Sequence, residues 1–325
     1  MRKLLTRCLV ISVILSCLLF VHTQFSVLAN EDLDQDGIAD RHEQNLLNKY
    51  APVYYFHLEE KYFPDSVDEY LGNAELRFHY RLRKDDAILA KGEVNQQTMI
   101  SQRHRNKDAL GRYTDEFISS KDFRDTYNHG GFFLEVPDDL ADKDSVYFGD
   151  QNLDRTPIYA TAYRCSKGTI NLQYWLFYPY NLAPAVAGVR LNHEGDWEHI
   201  TIRLDKSENI SEVYFASHND EGESYLLDSI EVHKGTHPVV YSALGTHASF
   251  VSAGVQDRGW YLPSDYTGKG AFLDATERVL NVGDGSTVLS NQDFILYGGL
   301  WGEIGNTTIS TGPKTPSYQS SWQED

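Results

Sequence analysis

Along the stretch Asp196–Leu204 polar and apolar positions alternate in a way that only an extended chain turns into faces. With a period of two, Asp196, Glu198, Ile200, Ile202 and Leu204 share one side, and Trp197, His199, Thr201 and Arg203 take the other. A side that reads acid, acid, apolar, apolar, apolar predicts a strand with its far end in a sheet core and its near end open to a polar site. His193 and Glu194 precede it, and Gly195 is a flexible corner expected to fold them back toward Asp196 and Glu198. Further strands are predicted at Val53–His57, Ile158–Arg164, Ile170–Asn181 (closed by Pro179 and Asn181), Glu212–His218 and Pro238–Ser242. Short helices are predicted at Asp40–Tyr50, stopped by Pro52, and at Ser66–Leu71. Small residues at 183–189 read as a loop and residues 217–222 as a hairpin turn. Residues 73–150 are polar and poor in apolar runs, and Arg103–Arg112 (RHRNKDALGR) reads as a solvated loop. Many short strands without repeats or a composition break predict a mainly β protein: an antiparallel β-sandwich with a few short peripheral helices, one domain over residues 50–325. Aromatic residues at 13% of the chain, 21 of them tyrosine, favour strands in the same way.

The N-terminus belongs to another class of segment. A basic MRKLLTR start, an apolar run from Cys8 to Phe20 and the small residue ending Val27-Leu28-Ala29 predict a signal peptide over residues 1–29. A lipoprotein reading through Ile14-Leu15-Ser16-Cys17 is the alternative. No later stretch approaches the roughly 20 apolar residues of a spanning helix, so a secreted or otherwise extracytoplasmic product with no transmembrane segment is expected. Loss of Arg2, Lys3 and Arg7 moves the formal charge from −18 to −21. Such acidity, with no basic stripe in view, argues against nucleic acid as a partner. Cys165 alone remains of the three cysteines, which excludes an intramolecular disulfide and predicts a small buried hydrophobe.

Directly after the signal, residues 30–49 are read as a calcium-binding loop followed by a short helix. Asp32, Asp34 and Asp36 fall at loop positions one, three and five, Gly37 at six, the Ile38 carbonyl at seven, Asp40 at nine and Glu43 at twelve. No partner loop follows, so a structural Ca²⁺ of extracellular-grade affinity, about 10⁻⁴–10⁻³ M, is expected to pin the N-terminus. A second divalent ion (Mg²⁺, Ca²⁺ or Zn²⁺) is expected at the strand mouth. Its ligands would be His193, Asp196, Glu198 and, from the end of a neighbouring strand, His247, because carboxylates and imidazole together suit hard and borderline cations. The plain alternatives are surface charges beside a strand and a hydrogen-bonded structural histidine.

Several motifs occur together and in order: Tyr50-Ala-Pro-Val-Tyr54 with Glu60-Lys-Tyr62, Tyr174–Asn181, His193–His199, Tyr241–Ala248, and late Trp-Gly and Gly-Pro pairs. The set resembles the family named after vacuolar protein sorting-associated protein 62, over most of residues 50–322. A more distant likeness at Gly195–His199 is to the necrosis-inducing secreted proteins of plant pathogens. That likeness implies a β-sandwich holding a divalent metal at an Asp-Trp-Glu motif and binding sphingolipid head groups. Asp196 and Glu198 match the motif's acids and His193 one histidine place, but Gly195 stands where the second histidine would be.

Three functions fit these residues. One is a binding protein whose second metal presents an open place to a glycan or lipid head group at a cell surface, with Trp175, Tyr178, Tyr180 and Trp197 as stacking surfaces. Another is a metal-dependent hydrolase of a phosphodiester or glycan, with Glu194 or His199 moving the proton. The third is a purely structural corner without a ligand.

Overall fold

The computed structural model describes residues 31–81, 83–137, 147–185, 191–218, 222–259 and 262–324. The signal-peptide segment lies outside these residues, as do parts of the predicted 183–189 loop and 217–222 turn. In chain order the strands are β1 Val53–Tyr55, β2 Glu75–Tyr80, β3 Arg83–Leu89, β4 Arg103–Lys107, β5 Tyr113–Ser119, β6 Gly131–Glu135, β7 Ile158–Arg164, β8 Ile170–Asn181, β9 His193–Leu204 and β10 Ile210–Phe215. They continue as β11 Glu223–Leu226, β12 Val232–His233, β13 His237–Ser242, β14 Ser249–Phe250, β15 Gly254–Gln256, β16 Asp265–Thr267, β17 Phe272–Leu273 and β18 Val279–Asn281. The helices are α1 Asp40–Tyr50, α2 Val67–Asn73, α3 Gln96–Ile100 and α4 Thr126–His129.

The protein is a mainly β sandwich built on a six-stranded sheet, β11-β10-β9-β8-β7-β18, antiparallel except where β18 runs parallel to β7. One face packs against a smaller mixed sheet, β12-β13-β1-β17 with β14 on β13, in which β1 and β13 are parallel. Tyr174, Leu176 and Tyr178 of β8 and Ile200, Ile202 and Leu204 of β9 meet Tyr54, Val240 and Leu273 there, together with Leu46, Leu47 and Tyr50 of α1. The other face packs against β3-β2-β6, where Trp175, Phe177 and Trp197 meet Leu76, Phe78, Phe132 and Trp301. Every residue of β8 is therefore buried, and its near-continuous apolar spelling follows from covering on both faces.

Three readings change. β9 begins at His193, so Gly195 lies inside the strand and not at a corner before it. Residues 103–112 open with β4, paired antiparallel with β5: charged side chains conceal a strand whose inner face, His104 opposite Ile118, packs on Phe78. Cys165 is only partly buried, its Sγ 3.0 Å from Thr169 Oγ1, because it lies in the turn that joins β7 to β8.

Candidate functional site

β8 and β9 carry Asn181 and Asp196 to one end of the central sheet, and β13 delivers His247 to the same place. His247 Nδ1 donates to Asp196 Oδ2 at 3.0 Å, and Asn181 Nδ2 reaches the same oxygen at 3.3 Å. The imidazole stacks on Tyr178 at 3.9 Å between centroids and 4° between planes. Both rings are buried, and His247 Nε2 and Asn181 Oδ1 have no hydrogen-bond partner. Glu60 stands beyond, 4.0 Å from His247 Nε2. Its carboxylate accepts from the backbone N–H groups of Lys61, Tyr62 and Gly245 at 2.8, 2.9 and 2.8 Å.

A cleft of about 980 Å³ opens over this cluster, walled by Leu58–Tyr62, Leu182–Pro184, Leu244–Thr246 and Pro263–Tyr266. Asp265 is buried in its wall and accepts from His218 Nε2 and Thr246 Oγ1, each at 2.6 Å. Burial alone would raise this carboxyl; the His218 and Thr246 bonds hold it below the usual range. Glu198 is partly buried and makes no hydrogen bond among the described residues; desolvation first, then the charges of Asp196 and Asp265, push its pKa well up. Glu60, Asp265, Thr246 and His218 were not legible as site residues, because four separate segments supply them.

The remaining sequence candidates go elsewhere. His193 turns its Nδ1 onto the Gly195 carbonyl at 2.7 Å. Gly195 takes φ +63°, and an added Cβ would lie 2.1 Å from the Trp301 carbonyl oxygen. This left-handed residue breaks the alternation. Glu194, two places from Asp196, thus turns to the opposite face of the sheet, where it accepts from Val136 N at 3.0 Å and burial raises its pKa. His199 is on that opposite face too, stacked on Trp175 at 4.2 Å and held neutral by burial with its pKa lowered to about 3. Neither catalytic candidate reaches Asp196. Trp175, Tyr178, Tyr180 and Trp197, expected as stacking surfaces, are buried core.

The N-terminal loop is different in kind. Ligand oxygens of Asp32, Asp34 and Asp40, and of Asp34, Asp36 and Glu43, lie within 4.8 Å of one another in two groups sharing Asp34. Among the described residues these are the only groups of three acidic, imidazole or thiol ligands that close; His193, Asp196, Glu198 and His247 do not form one. Asp32 Oδ1, Asp34 Oδ1, Asp36 Oδ2 and Glu43 Oε1 are buried without a hydrogen-bond partner. Desolvation, reinforced by the neighbouring acids, raises Asp34 to about 6 and Glu43 to about 9. Orphaned carboxylate oxygens facing one another are what a hard cation requires, and the donor set fits Ca²⁺. Asn281 of β18 donates to Glu43 at 2.8 Å and Arg164 of β7 to the Gly37 carbonyl at 3.1 Å, so the loop is fastened to the edge of the central sheet.

The profile of the family described as vacuolar protein sorting-associated protein 62, Vps62, matches residues 119–277, which include Asp196, Glu198 and His247. Over that stretch the chain is similar to the Vps62 family. The match is shorter than the 50–322 span of the sequence motifs, but two Saccharomyces cerevisiae proteins extend it. TDA6 is 25% identical over 297 residues, covering 78% of the chain and 59% of its own length. Vacuolar protein sorting-associated protein 62 is 23% identical over 288 residues, covering 78% and 58%. The chain thus spans under two thirds of either Vps62 relative. Similar solved structures include NLPPya in complex with glucosamine, at 12% identity, TM-score 0.41 and 89% of each chain. Necrosis and Ethylene inducing Protein 2 from the causal agent of cocoa's Witches Broom disease aligns at 15% identity, TM-score 0.32, over 67% of this chain and 71% of that one.

Proposed function

We propose that the protein is exported, is stapled at its N-terminus by calcium, and binds a polar ligand, a glycan or lipid head group at a cell surface, in the cleft above Asp196 and His247. The observation that carries this reading is the cleft itself. It is large enough for a sugar-sized ligand, and its wall includes Glu60, 4.0 Å from the buried, unpartnered His247 Nε2, and Leu182, the chain neighbour of Asn181, whose Oδ1 is likewise unpartnered. Buried polar atoms without partners are rare and favour a group supplied from outside. Asp196 and His247 would take part in a second divalent metal site there, with Glu60 as the ligand nearest the free imidazole nitrogen. Glu194 and His199, the residues expected to move the proton in the hydrolase reading, lie on the opposite face of the sheet from Asp196.

Metal analysis of the purified protein, before and after chelation, beside Asp196→Ala and Asp36→Ala tests this reading. Two classes of metal are expected, one lost with each substitution while near-ultraviolet circular dichroism stays native. A single class lost only with Asp36→Ala removes the second metal. Loss of glycan and head-group binding in Asp196→Ala is expected in either case, and unchanged binding in a folded variant overturns the cleft as the ligand site.

A further inference from the structure

Charge is unevenly placed on this acidic protein. Residues 77–112 hold nine of the 29 lysines and arginines but only four of the 47 acids. β3 and the β4–β5 hairpin, on the opposite side of the central sheet from the Asp196–His247 cleft, carry six of these cations, Arg83, Lys84, Arg103, Arg105, Lys107 and Arg112, beside five acids, each of which is held by a His, Lys or Arg partner. No basic stripe shows in the sequence because the cations come from two strands, β3 and β4, and the turns beside them, separated by apolar, amide and acidic residues.

The surface has a particular make-up. Arg83, Lys84, His104 and Lys107 line a shallow hollow of about 600 Å³ with Asp85, Asp86, Ala87 and Gly111. Its acids are already engaged. Asp86 accepts from Lys107, Tyr80 and Tyr113, which overcome the effect of burial and hold its carboxyl at about 2, and Asp85 pairs with His79 at 3.0 Å. Asp115 and Glu116 on β5 pair with Arg105 and Arg124. Arg81, Lys84, Lys91 and Arg103 are exposed and have no ion-pair partner among the described residues.

Apolar groups stand among these cations. Leu110, at the hairpin turn next to Gly111, is 71% exposed; Tyr113 is 51% and Phe117 56% exposed. Arg103 and Arg105 lie over the Phe117 ring at 5.7 and 5.6 Å from its centroid. An aliphatic tip, ring faces beside it and unpaired cations around both are the mixture that seats at a bilayer interface: apolar groups enter the head-group boundary while arginine and lysine meet lipid phosphates.

We infer that the β3 and β4–β5 surface docks the protein on anionic phospholipid bilayers. The charge is complementary, and the exposed leucine at the turn favours a lipid surface over an anionic polysaccharide, which has nowhere to bury it. Docking by this face leaves the cleft on the side turned away from the bilayer. The inference uses none of the cleft residues, so the two readings stand or fall separately.

The test is co-sedimentation of the full protein, at constant calcium, with phosphatidylcholine vesicles and with vesicles that also contain phosphatidylglycerol. Binding only to the anionic vesicles, weakening as ionic strength rises, is expected. Lys84→Glu combined with Arg103→Glu should weaken it about tenfold or more, and Leu110→Asp several-fold. Thermal melts check that the variants fold, and Asp196→Ala should bind vesicles as the parent does. No binding to anionic vesicles overturns the inference. So does binding that all three surface substitutions leave unchanged, or binding to soluble polygalacturonate with none to vesicles.

Discussion

The molecule has two clusters of carboxylates, and they are built on opposite principles. In the N-terminal loop all ligands come from the twelve residues Asp32–Glu43, and four oxygens are buried with nothing to bond. At the strand mouth Glu60, Asp196 and Asp265 come from distant segments, and each already accepts hydrogen bonds from backbone or side-chain donors. The loop therefore leaves four carboxylate oxygens open, a set that could hold a cation, whereas the strand mouth is a largely satisfied network with two open atoms, His247 Nε2 and Asn181 Oδ1. Carboxylates alone do not make a metal site; what decides is whether anything else in the fold has claimed their lone pairs.

The sharpest way to separate the clusters is through their glycines. Gly195→Ala places a Cβ against the Trp301 backbone at a left-handed position, and a loss of about 3–5 kcal/mol or failure to fold is expected in urea denaturation. Gly37→Ala meets nothing closer than Arg164 Nε at 3.7 Å, so only the cost of φ +86°, about 1–2 kcal/mol, should appear. Equal losses would mean that the two sites are not held with different rigidity.

Next in size is the effect of calcium. At about 1 mM free Ca²⁺ and a dissociation constant near 10⁻⁴ M, chelation should remove about 1–2 kcal/mol of stability from the parent protein. Asp36→Ala should abolish that dependence and Asp196→Asn should keep it, both read from melting temperature with and without chelator. A calcium-dependent melt that survives Asp36→Ala would move the staple elsewhere.

The pH dependence of that difference has a definite sign. Asp34 and Glu43 have folded-state pKa values raised to about 6 and 9, so without metal they bind protons more tightly folded than unfolded. The penalty of ionising them is absent below about pH 4 and grows as pH rises through those values. Calcium bound there would take the place of those protons. The gap between calcium-loaded and chelated melting temperatures should widen from pH 5 to pH 8, and a gap that narrows would contradict the loop as the binding site.

A separate pH effect lies behind the strand mouth. His199 is buried neutral with a pKa lowered to about 3, so its contribution is full above the unfolded value near 6.5 and falls by about 1.4 kcal/mol per pH unit below it. His199→Phe, which retains a ring against Trp175, should flatten the acid limb of stability between pH 6 and 4 without altering ligand binding in the cleft. An unchanged acid limb would show that other groups set it.

What was legible in the chain follows the same division. Spacing exposed the acidic cluster at Asp32–Glu43 because its grouping in space follows its order in sequence, and β7 and β8 were readable because their apolar runs match their length. The start of β9 was hidden by a glycine that sits within a strand at positive φ, and with it the opposite facing of Glu194 and Asp196. β4 and β5 were hidden by charged residues that make a strand by pairing with each other. Asp265 carries no local signal, and the Glu60-Lys-Tyr62 motif does not tell that Glu60 stands beside His247, since only the fold places them together.

One pairing also bears on how the chain reaches this state. β1 joins β13 in parallel, Val53 against Val239, residues 186 apart in sequence. Until the later strand exists, β1 has no neighbour on that edge, and α1 and the acidic loop before it have no finished surface to settle on. Closing so long a loop is slow. The end of the described chain that is made first, α1 and the acidic loop before it, is thus among the last parts to become fixed.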